Sequence, residues 1–483
     1  MIFSSIRSFI MRLFKNDAEK VFDVDVISSA KMEAAQQLWK NIIQGTPYWI
    51  DENIRSINFG RFLASYTAKK ACLELDVKIE GSARAEWIDS VITAMIGKCF
   101  RDKVEDACGM GGIILKPNGN ANVNNAIDYV MPDDYVITAQ NSNGDILGII
   151  FKDGISRGDY YYTKLEYHHF KDVVIDGIVK SVCVVENKAF KSRSINSLGD
   201  NISLDEVSEW RGLEPYVEIE NINRLLMGYL KMPNNNVIDY ASPEGVAIFD
   251  SAITELRDLD IAWSKKGNEV EDSVHITFID ENALTKRDAN GNRVHVKLPR
   301  FVKGLRRGTD AASTIDEHVP TMLTTDRIAD INSILSMAGT KCGFSQGQFI
   351  LDRKTGAITA TQIESDDSET VETITDIRTA IKKAVIDVVY ALDKYADLYD
   401  ITPVGYVNAL DSKVAAEDIF YFKDLLSTFE QDRTRAYTLV MQGMYSKRKY
   451  LKEYEGFTDE EIDNMFSEIQ NEQGEKKQLF DEE

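Results

Sequence analysis

Apolar residues recur at spacings of three and four near the middle of the chain. Ile363, Val371, Ile374, Ile377, Ile381, Val385 and Val388 mark one side of a long helix. Its first turns carry Glu364, Asp366, Asp367, Glu369 and Glu372, and Lys382 and Lys383 come only later, the polarity a helix macrodipole favours. Just upstream, Phe344 to Thr359 is a short polar stretch pivoting on Gly347 and Gly356. The pattern predicts a loop held between two helices.

The rest of the chain divides by period. Helices are expected over 28–46 and 84–107, the second from Trp87, Ile88, Val91, Ile92, Met95, Ile96 and Cys99. Between Cys108 and about Ser194 the period falls to two. Gly111 to Leu115 ends at the turn signal Pro117–Asn120. Asn141–Asp145 separates Val136–Thr138 from Ile146–Ile150 as a hairpin, and Tyr160–Tyr167 and Val182–Val185 continue that sheet. Ser242 as N-cap and Pro243 as first helical residue predict a helix to about Asp272, with Phe249, Ile253, Leu256, Leu259 and Trp263 on one face.

Residues 273–320 read as β-rich, turning at Asp288–Asn292. A helix follows, apolar at Leu323, Ile328, Ile331, Ile334 and Leu335 and ending at Gly339 or Gly343. The long helix should reach about Tyr395. Beyond it come a short strand at Pro403–Asn408 and helices over 417–442 and 446–472, with Thr458 and Glu461 spaced as a capping box. The class is α+β, with no internal repeat.

At 483 residues the chain is too long for one core and should fold as several modules. Its 43% hydrophobic and 28% charged content is that of a globular protein. The net charge of −22 argues against a simple duplex-gripping surface, which needs clustered Lys and Arg. It suits colloidal solubility, or a surface that repels DNA. One stretch runs the other way: Lys286, Arg287, Arg293, Lys297, Arg300, Lys303, Arg306 and Arg307 are opposed there only by Asp288. At the N-terminus, Ile2, Ile6, Phe9, Ile10, Leu13 and Phe14 form one helical stripe interrupted by Arg7 and Arg12. This predicts an amphipathic arm docking on a neighbour or partner, with membrane-surface contact the alternative. No apolar run is long enough to span a bilayer.

Chemistry is sparse. The five cysteines, Cys72, Cys99, Cys108, Cys183 and Cys342, are scattered with no CxxC pair, which fits a reducing compartment and neither a disulfide framework nor a zinc site. Gly97-Lys98-Cys99 lacks the rest of a phosphate loop, and Gly109–Gly112 opens a strand, not a helix. There is no HExxH. His168 and His169 are adjacent on an expected strand and so face opposite ways, a poor start for a shared metal. The Asp366-Asp367 pair is explained by the helix dipole. No constellation supports an enzyme, a metal or a cofactor.

In order and spacing, several segments resemble the portal proteins of tailed bacteriophages, of the type found in siphoviruses infecting Gram-positive bacteria. They are Gly111-Gly112-Ile113-Ile114-Leu115-Lys116-Pro117; Tyr161 to His168; Pro233-Asn234-Asn235-Asn236 leading into Ser242-Pro243-Glu244-Gly245; and Leu259-Asp260 with Asn268-Glu269. Further along are Gly343-Phe344-Ser345, Thr359 to Ile363, Gly443-Met444-Tyr445-Ser446 and Gly456 to Glu461. Gln362 departs from the pattern, which has an acidic residue there.

The resemblance implies a ring of subunits, usually twelve, at one capsid vertex, through which double-stranded DNA is packaged and ejected. It implies an arm at 1–27, an α/β wing at 28–240, a first stem helix at 241–272 and a β-rich clip at 273–320. A second stem helix at 321–343, a tunnel loop at 344–359, a long connecting helix at 360–398 and a helical crown and tail at 399–483 follow. Gln348, Asp352, Arg353, Lys354 and Thr355 would face DNA from the tunnel loop. The basic clip residues would dock an acidic partner, link neighbouring subunits or contact phosphate. Implied partners are other copies of the chain, the large terminase that hydrolyses ATP, the head–tail adaptor, and the major capsid and scaffold proteins, with no membrane and no cofactor. The alternative is a structural or scaffold protein of the head vertex that forms no channel.

Overall fold

The computed structural model describes residues 14–118, 122–175, 178–272, 276–280, 285–287, 293–295, 302–305, 315–318, 323–351, 368–399, 419–422, 429–459 and 461–469. Helix α1 covers residues 14–22, and α2 is Ala30–Ile43, capped by Ser29, whose hydroxyl accepts from Met32 N. Next come α3 (Phe59–Ala71), α4 (Ala83–Lys98) and α5 (Phe100–Met110). The single helix expected over 84–107 is therefore two. Cys99, at φ −147° and ψ 13°, breaks it. The break turns Phe100, Val104, Ala107 and Cys108 into the core, where α5 packs on α3.

Up to Lys231 the described strands are β1 (Asp76–Val77), β2 (Gly112–Pro117), β3 (Ile127–Val130), β4 (Tyr135–Gln140), β5 (Ile146–Arg157), β6 (Tyr160–Ile175), β7 (Ile178–Ser192), β8 (Asp200–Ile202), β9 (Tyr216–Ile219) and β10 (Gly228–Lys231). Strands β4 to β8 form one antiparallel sheet in sequence order, with β9 also pairing β7. The β4–β5 turn is closed by Asn141, whose Oδ1 accepts from Asn143 N and Asp145 N, both at 2.9 Å. Strand β2 lies between β10 and β3 in a separate sheet. The Gly111–Leu115 run thus does not open the sheet that holds Tyr161–His168; it belongs to a smaller one that backs the long helix.

One face of the large sheet presents Ile149, Phe151 and Cys183 to Leu225, Leu226 and a helix carrying Ala391 and Tyr395. The other face presents Val136, Ile150, Leu165 and Tyr167 to Phe14 and Ala18 of α1. The described end of the amphipathic arm is therefore buried on its own chain. Ile2, Ile6, Phe9, Ile10 and Leu13 lie outside the described residues.

Helix α6 (Ile253–Asp272) starts after a 3-10 turn at Asp250–Ala252, some ten residues later than the Ser242-Pro243 signal suggests. Ser242 Oγ does accept from Glu244 N. Helix growth fails because Gly245 N donates to Tyr229 Oη and Ile248 N to Cys108 O, holding 243–249 against the small sheet and α5. Between α6 and α7 (Thr324–Lys341) lie β11 (Ile276–Asp280), β12 (Thr285–Arg287), β13 (Arg293–His295), β14 (Val302–Leu305) and β15 (Ile315–His318). Strand β11 pairs β14 in parallel and β15 antiparallel, and β12 pairs β13 antiparallel.

Helix α8 (Ser368–Leu398) buries Ile374, Ile377, Ile381, Val385 and Val388 on the predicted face. It approaches β10 so closely that a Cβ on Gly228 would lie 2.3 Å from Ala384 O. Strand β16 (Phe420–Tyr421) pairs β1. The strand expected at 403–408 lies outside the described residues.

The chain divides into two compact units, residues 1–422 and 423–483. The second contains α9 (Phe429–Met441), α10 (Lys447–Tyr454) and a helix over residues 461–469. Gly456, at φ +76°, separates the last two where one helix was expected. Glu461 and Thr458 form the capping box, with Thr458 N donating to Glu461 Oε2 at 2.9 Å and Glu461 N to Thr458 Oγ1 at 3.4 Å.

Candidate functional site

Helices α6 and α7 are an antiparallel pair clamped at both ends. Near one end, Lys341 Nζ lies 2.6 Å from Glu255 Oε1, and Ser251 Oγ donates to Lys341 O. At the other, Glu269 accepts from Leu323 N at 2.8 Å and from Arg327 Nε at 3.1 Å. Glu269 thereby supplies an orphan donor at the start of α7 with an acceptor and places negative charge there. Leu256, Leu259, Ile331, Leu335 and Ala338 are buried along the pair.

The basic segment lies in the chain between Asp272 and Leu323, at the Glu269–Arg327 end of the pair. Lys286 and Arg287 are on β12, Arg293 is on β13 and Lys303 is on β14; Lys297, Arg300, Arg306 and Arg307 lie outside the described residues. Arg287 and Arg293 occupy paired register positions of β12 and β13, and Lys286 is paired with Val294.

The loop before α8 has a built root. Cys342 ends α7, and Gly343 takes φ +79° where a Cβ would lie 2.5 Å from Thr373 Oγ1. Thr373 Oγ1 donates to Gly343 O at 2.5 Å. Ser345 and Thr370 then bridge the two arms of the loop: Ser345 N donates to Thr370 Oγ1 at 3.0 Å and Thr370 N to Ser345 Oγ at 3.3 Å. Thr370 Oγ1 also donates to Gln348 Oε1, and Gln348 Nε2 to Tyr66 Oη on α3, each at 2.5 Å. Leu351 N donates to Asn332 Oδ1 on α7 at 2.8 Å.

Beneath this polar chain, Phe349 meets Phe344, Tyr66, Phe59 and Phe62 edge-on, with ring centroids 5.2 to 5.7 Å apart. Gly339 makes room, since a Cβ there would stand 3.1 Å from the Phe349 ring.

Of the residues expected to face DNA, Gln348 is part of this root, held by Tyr66 and Thr370. Asp352, Arg353, Lys354 and Thr355 lie outside the described residues. Sequence reading missed Tyr66 and Phe349 altogether. Tyr66 lies 282 positions from its partner, and only the aromatic spacing of Phe59, Phe62 and Tyr66 on one helix face hints at a receiving surface.

Titratable groups elsewhere serve the core. Burial pushes the thiols of Cys72, Cys183 and Cys342 up to about 12, which leaves them poor nucleophiles. His168 Nε2 and Lys116 Nζ each lie 2.6 Å from Glu166 Oε1, and Lys164 Nζ lies 3.0 Å from Oε2. Burial alone would raise Glu166, but Lys116, with His168 and Lys164, holds it well below the usual carboxylate range. Burial holds His168 below the usual histidine range, against the pull of Glu166. His169, on the opposite face as its position predicts, stacks on Tyr167 at 4.2 Å. Among the described residues no cluster of His, Cys, Asp or Glu has the makings of a metal site, and no helix is long and apolar enough to cross a membrane.

No family model and no curated protein matches the chain. Among solved structures, a chain from the neck of the native GTA particle, computed with C12 symmetry, is similar over 81% of this chain and 88% of its own, at 11% identity and a TM-score of 0.33. At that score the likeness assigns no function.

Proposed function

We propose that the chain is a portal protein of a tailed bacteriophage, a ring-forming structural protein that conducts double-stranded DNA at a capsid vertex and has no catalytic step of its own. The observation that carries this reading is the order of parts from α6 to α8. An antiparallel helix pair clamped at both ends carries a β-rich basic insert at one end, and a loop with a rigid root leads from it into a 31-residue helix. A ring lined by such units needs a projection that holds its base while DNA moves past. It also needs a net acidic wall that does not grip phosphate, because tight pairing opposes sliding.

On this reading Arg353 and Lys354 contribute one set of positive charge per subunit near the DNA, and the insert bearing Lys286, Arg287, Arg293 and Lys303 docks the terminase motor and later the head–tail adaptor. The test is negative-stain electron microscopy of the purified chain with light scattering for mass, alone and co-expressed with scaffold and capsid protein. Closed rings with a central hole wide enough for duplex DNA are expected. A closed oligomer without a channel in both preparations overturns the proposal in favour of a non-channel head-vertex component.

A further inference from the structure

Strands β8 and β9 pair the same edge of β7 at different heights. Strand β8 takes Ala189 to Lys191 and β9 takes Cys183 to Glu186, so Asn187 and Lys188 are left at the gap between them. A cleft of about 360 Å³ opens at that gap, walled on one side by the residues after β8 and on the other by the turn that leads into β9. The walls are held in place by the fold itself. Asn187 N donates to Pro215 O and Asn187 Nδ2 to Glu214 O, each at 2.9 Å. The buried Trp210 anchors the segment between them, its Nε1 donating to Asp153 Oδ2 at 2.9 Å.

Asn187, which lines the cleft, is only 8% exposed, and its Oδ1 has no hydrogen-bond partner among the described residues. Glu214 O can only accept, which fixes the amide nitrogen toward it and leaves the oxygen over. A buried acceptor without a donor costs stability, and a fold that keeps one at a cleft is explained if the donor arrives from outside. Asp205 and Glu214 stand exposed at the rim, and neither makes an ion pair among the described residues. Lys188 borders the cleft as well, but its ammonium is engaged elsewhere. Its Nζ donates to Val21 O at 2.7 Å and lies 4.5 Å from the centre of the Phe22 ring.

Two unpaired carboxylates beside an unfilled acceptor select a cation that donates N–H. An anion would be repelled by Asp205 and Glu214. A calcium ion asks for roughly six to eight oxygens, and among the described residues no three of His, Cys, Asp and Glu are grouped to hold a metal. Arginine answers every feature of the cleft. It is always charged, its planar fork of N–H donors reaches more than one acceptor, and its methylene stem can lie on Ile202, Leu213 and Pro215.

We propose that this cleft takes an arginine side chain from a partner polypeptide, its guanidinium donating to Asn187 Oδ1 and pairing with Asp205 and Glu214. The inference stands whether or not the chain forms a channel.

The test is selection of a random heptapeptide display library on the full-length chain, counter-selected on the double variant D205N/E214Q. Both side chains are exposed and unpaired, so this variant should melt with the wild type. Enriched peptides are then synthesised with capped ends and titrated by fluorescence anisotropy. Expected are peptides carrying arginine, bound at least ~10-fold more weakly by D205N/E214Q, a factor that corresponds to about 1.4 kcal/mol. Two replacements in the peptide leave the protein unaltered and decide the matter even if the variant melts lower. Citrulline keeps the shape of arginine and removes its charge, while symmetric dimethylarginine keeps the charge and replaces N–H donors with methyl groups; each should weaken binding several-fold. Lack of enrichment, enrichment without arginine, binding equal in the wild type and a stably folded D205N/E214Q, or binding that survives dimethylation overturns the proposal. So does calorimetry in which calcium chloride binds the wild type and not the double variant, since that would make the cleft a metal site.

Discussion

Arg84 Nη1 lies 3.2 Å from Asp393 Oδ1, with both side chains buried, and so joins α4 to α8 across 309 positions of sequence. Burial pushes the Asp393 carboxyl up more than Arg84 draws it down. Arg84 Nε and Asp393 Oδ2 find no hydrogen-bond partner, so the pair is intact without being fully satisfied.

Breaking this pair from one side should be costly. Arg84→Met leaves a buried carboxylate and is expected to lower the unfolding free energy by ~3–5 kcal/mol, while the double variant R84M/D393L recovers most of it. Urea unfolding of the single and double variants measures this. A double variant as unstable as R84M alone would show that Arg84 acts through its other neighbours.

Glu244 should make stability fall as pH rises. It is fully buried, and its Oε2 accepts from Ser28 Oγ at 2.8 Å and Ser242 Oγ at 3.0 Å, yet burial wins and raises its pKa. The folded state therefore holds its proton to higher pH than the unfolded chain. Its contribution is present below the unfolded value and is lost as pH rises through the folded one. Glu244→Gln, neutral at every pH, should gain stability relative to wild type between the two values and show no advantage at acid pH. Thermal melts of both proteins across that range give the comparison.

Gly343→Ala should destabilise by ~1–3 kcal/mol, because it forces a side chain into the left-handed region as well as onto Thr373. The combined variant G343A/T373S, which keeps the hydroxyl and drops the methyl, should not recover it, because the close contact is with the oxygen. Differential scanning calorimetry is sufficient to decide.

At the root of the loop, Thr370→Val keeps the shape of the side chain. It removes the acceptor for Ser345 N and the donor to Gln348 Oε1. An unpaired buried amide costs ~1–3 kcal/mol. Thr370→Ser, which preserves the hydroxyl, should sit close to wild type in the same denaturant titration.

Much of the architecture is written in local pattern. The buried stripe of α8 falls on the residues that the spacing of three and four selects, and the β4–β5 turn forms at Asn141–Asp145 because asparagine bonds its own following backbone. The failures share one cause. Ser242 and Pro243 carry a helix-start signal, but Tyr229 and Cys108, remote in sequence, take the backbone donors that a helix would need. Cys99 breaks a continuous apolar stripe, and the helix that resumes buries Phe100 and Val104 where α5 packs on α3, a tertiary arrangement that a one-dimensional pattern cannot encode. The candidate site divides in the same way. Its charges are visible in the sequence, whereas the Tyr66–Gln348–Thr370 connection exists only once α3, the loop and α8 meet.

The clamp between α6 and α7 has a consequence for how this chain can change over time. Because Glu269 and Arg327 close the helix pair where the insert leaves and returns, the fold beneath experiences the insert only as a loop between two fixed points. Lengthening or replacing such a loop changes its closure entropy only logarithmically. The segment between Asp272 and Leu323 is therefore free to be exchanged for one of different length or charge, fitting the same body to a different partner without redesigning its core.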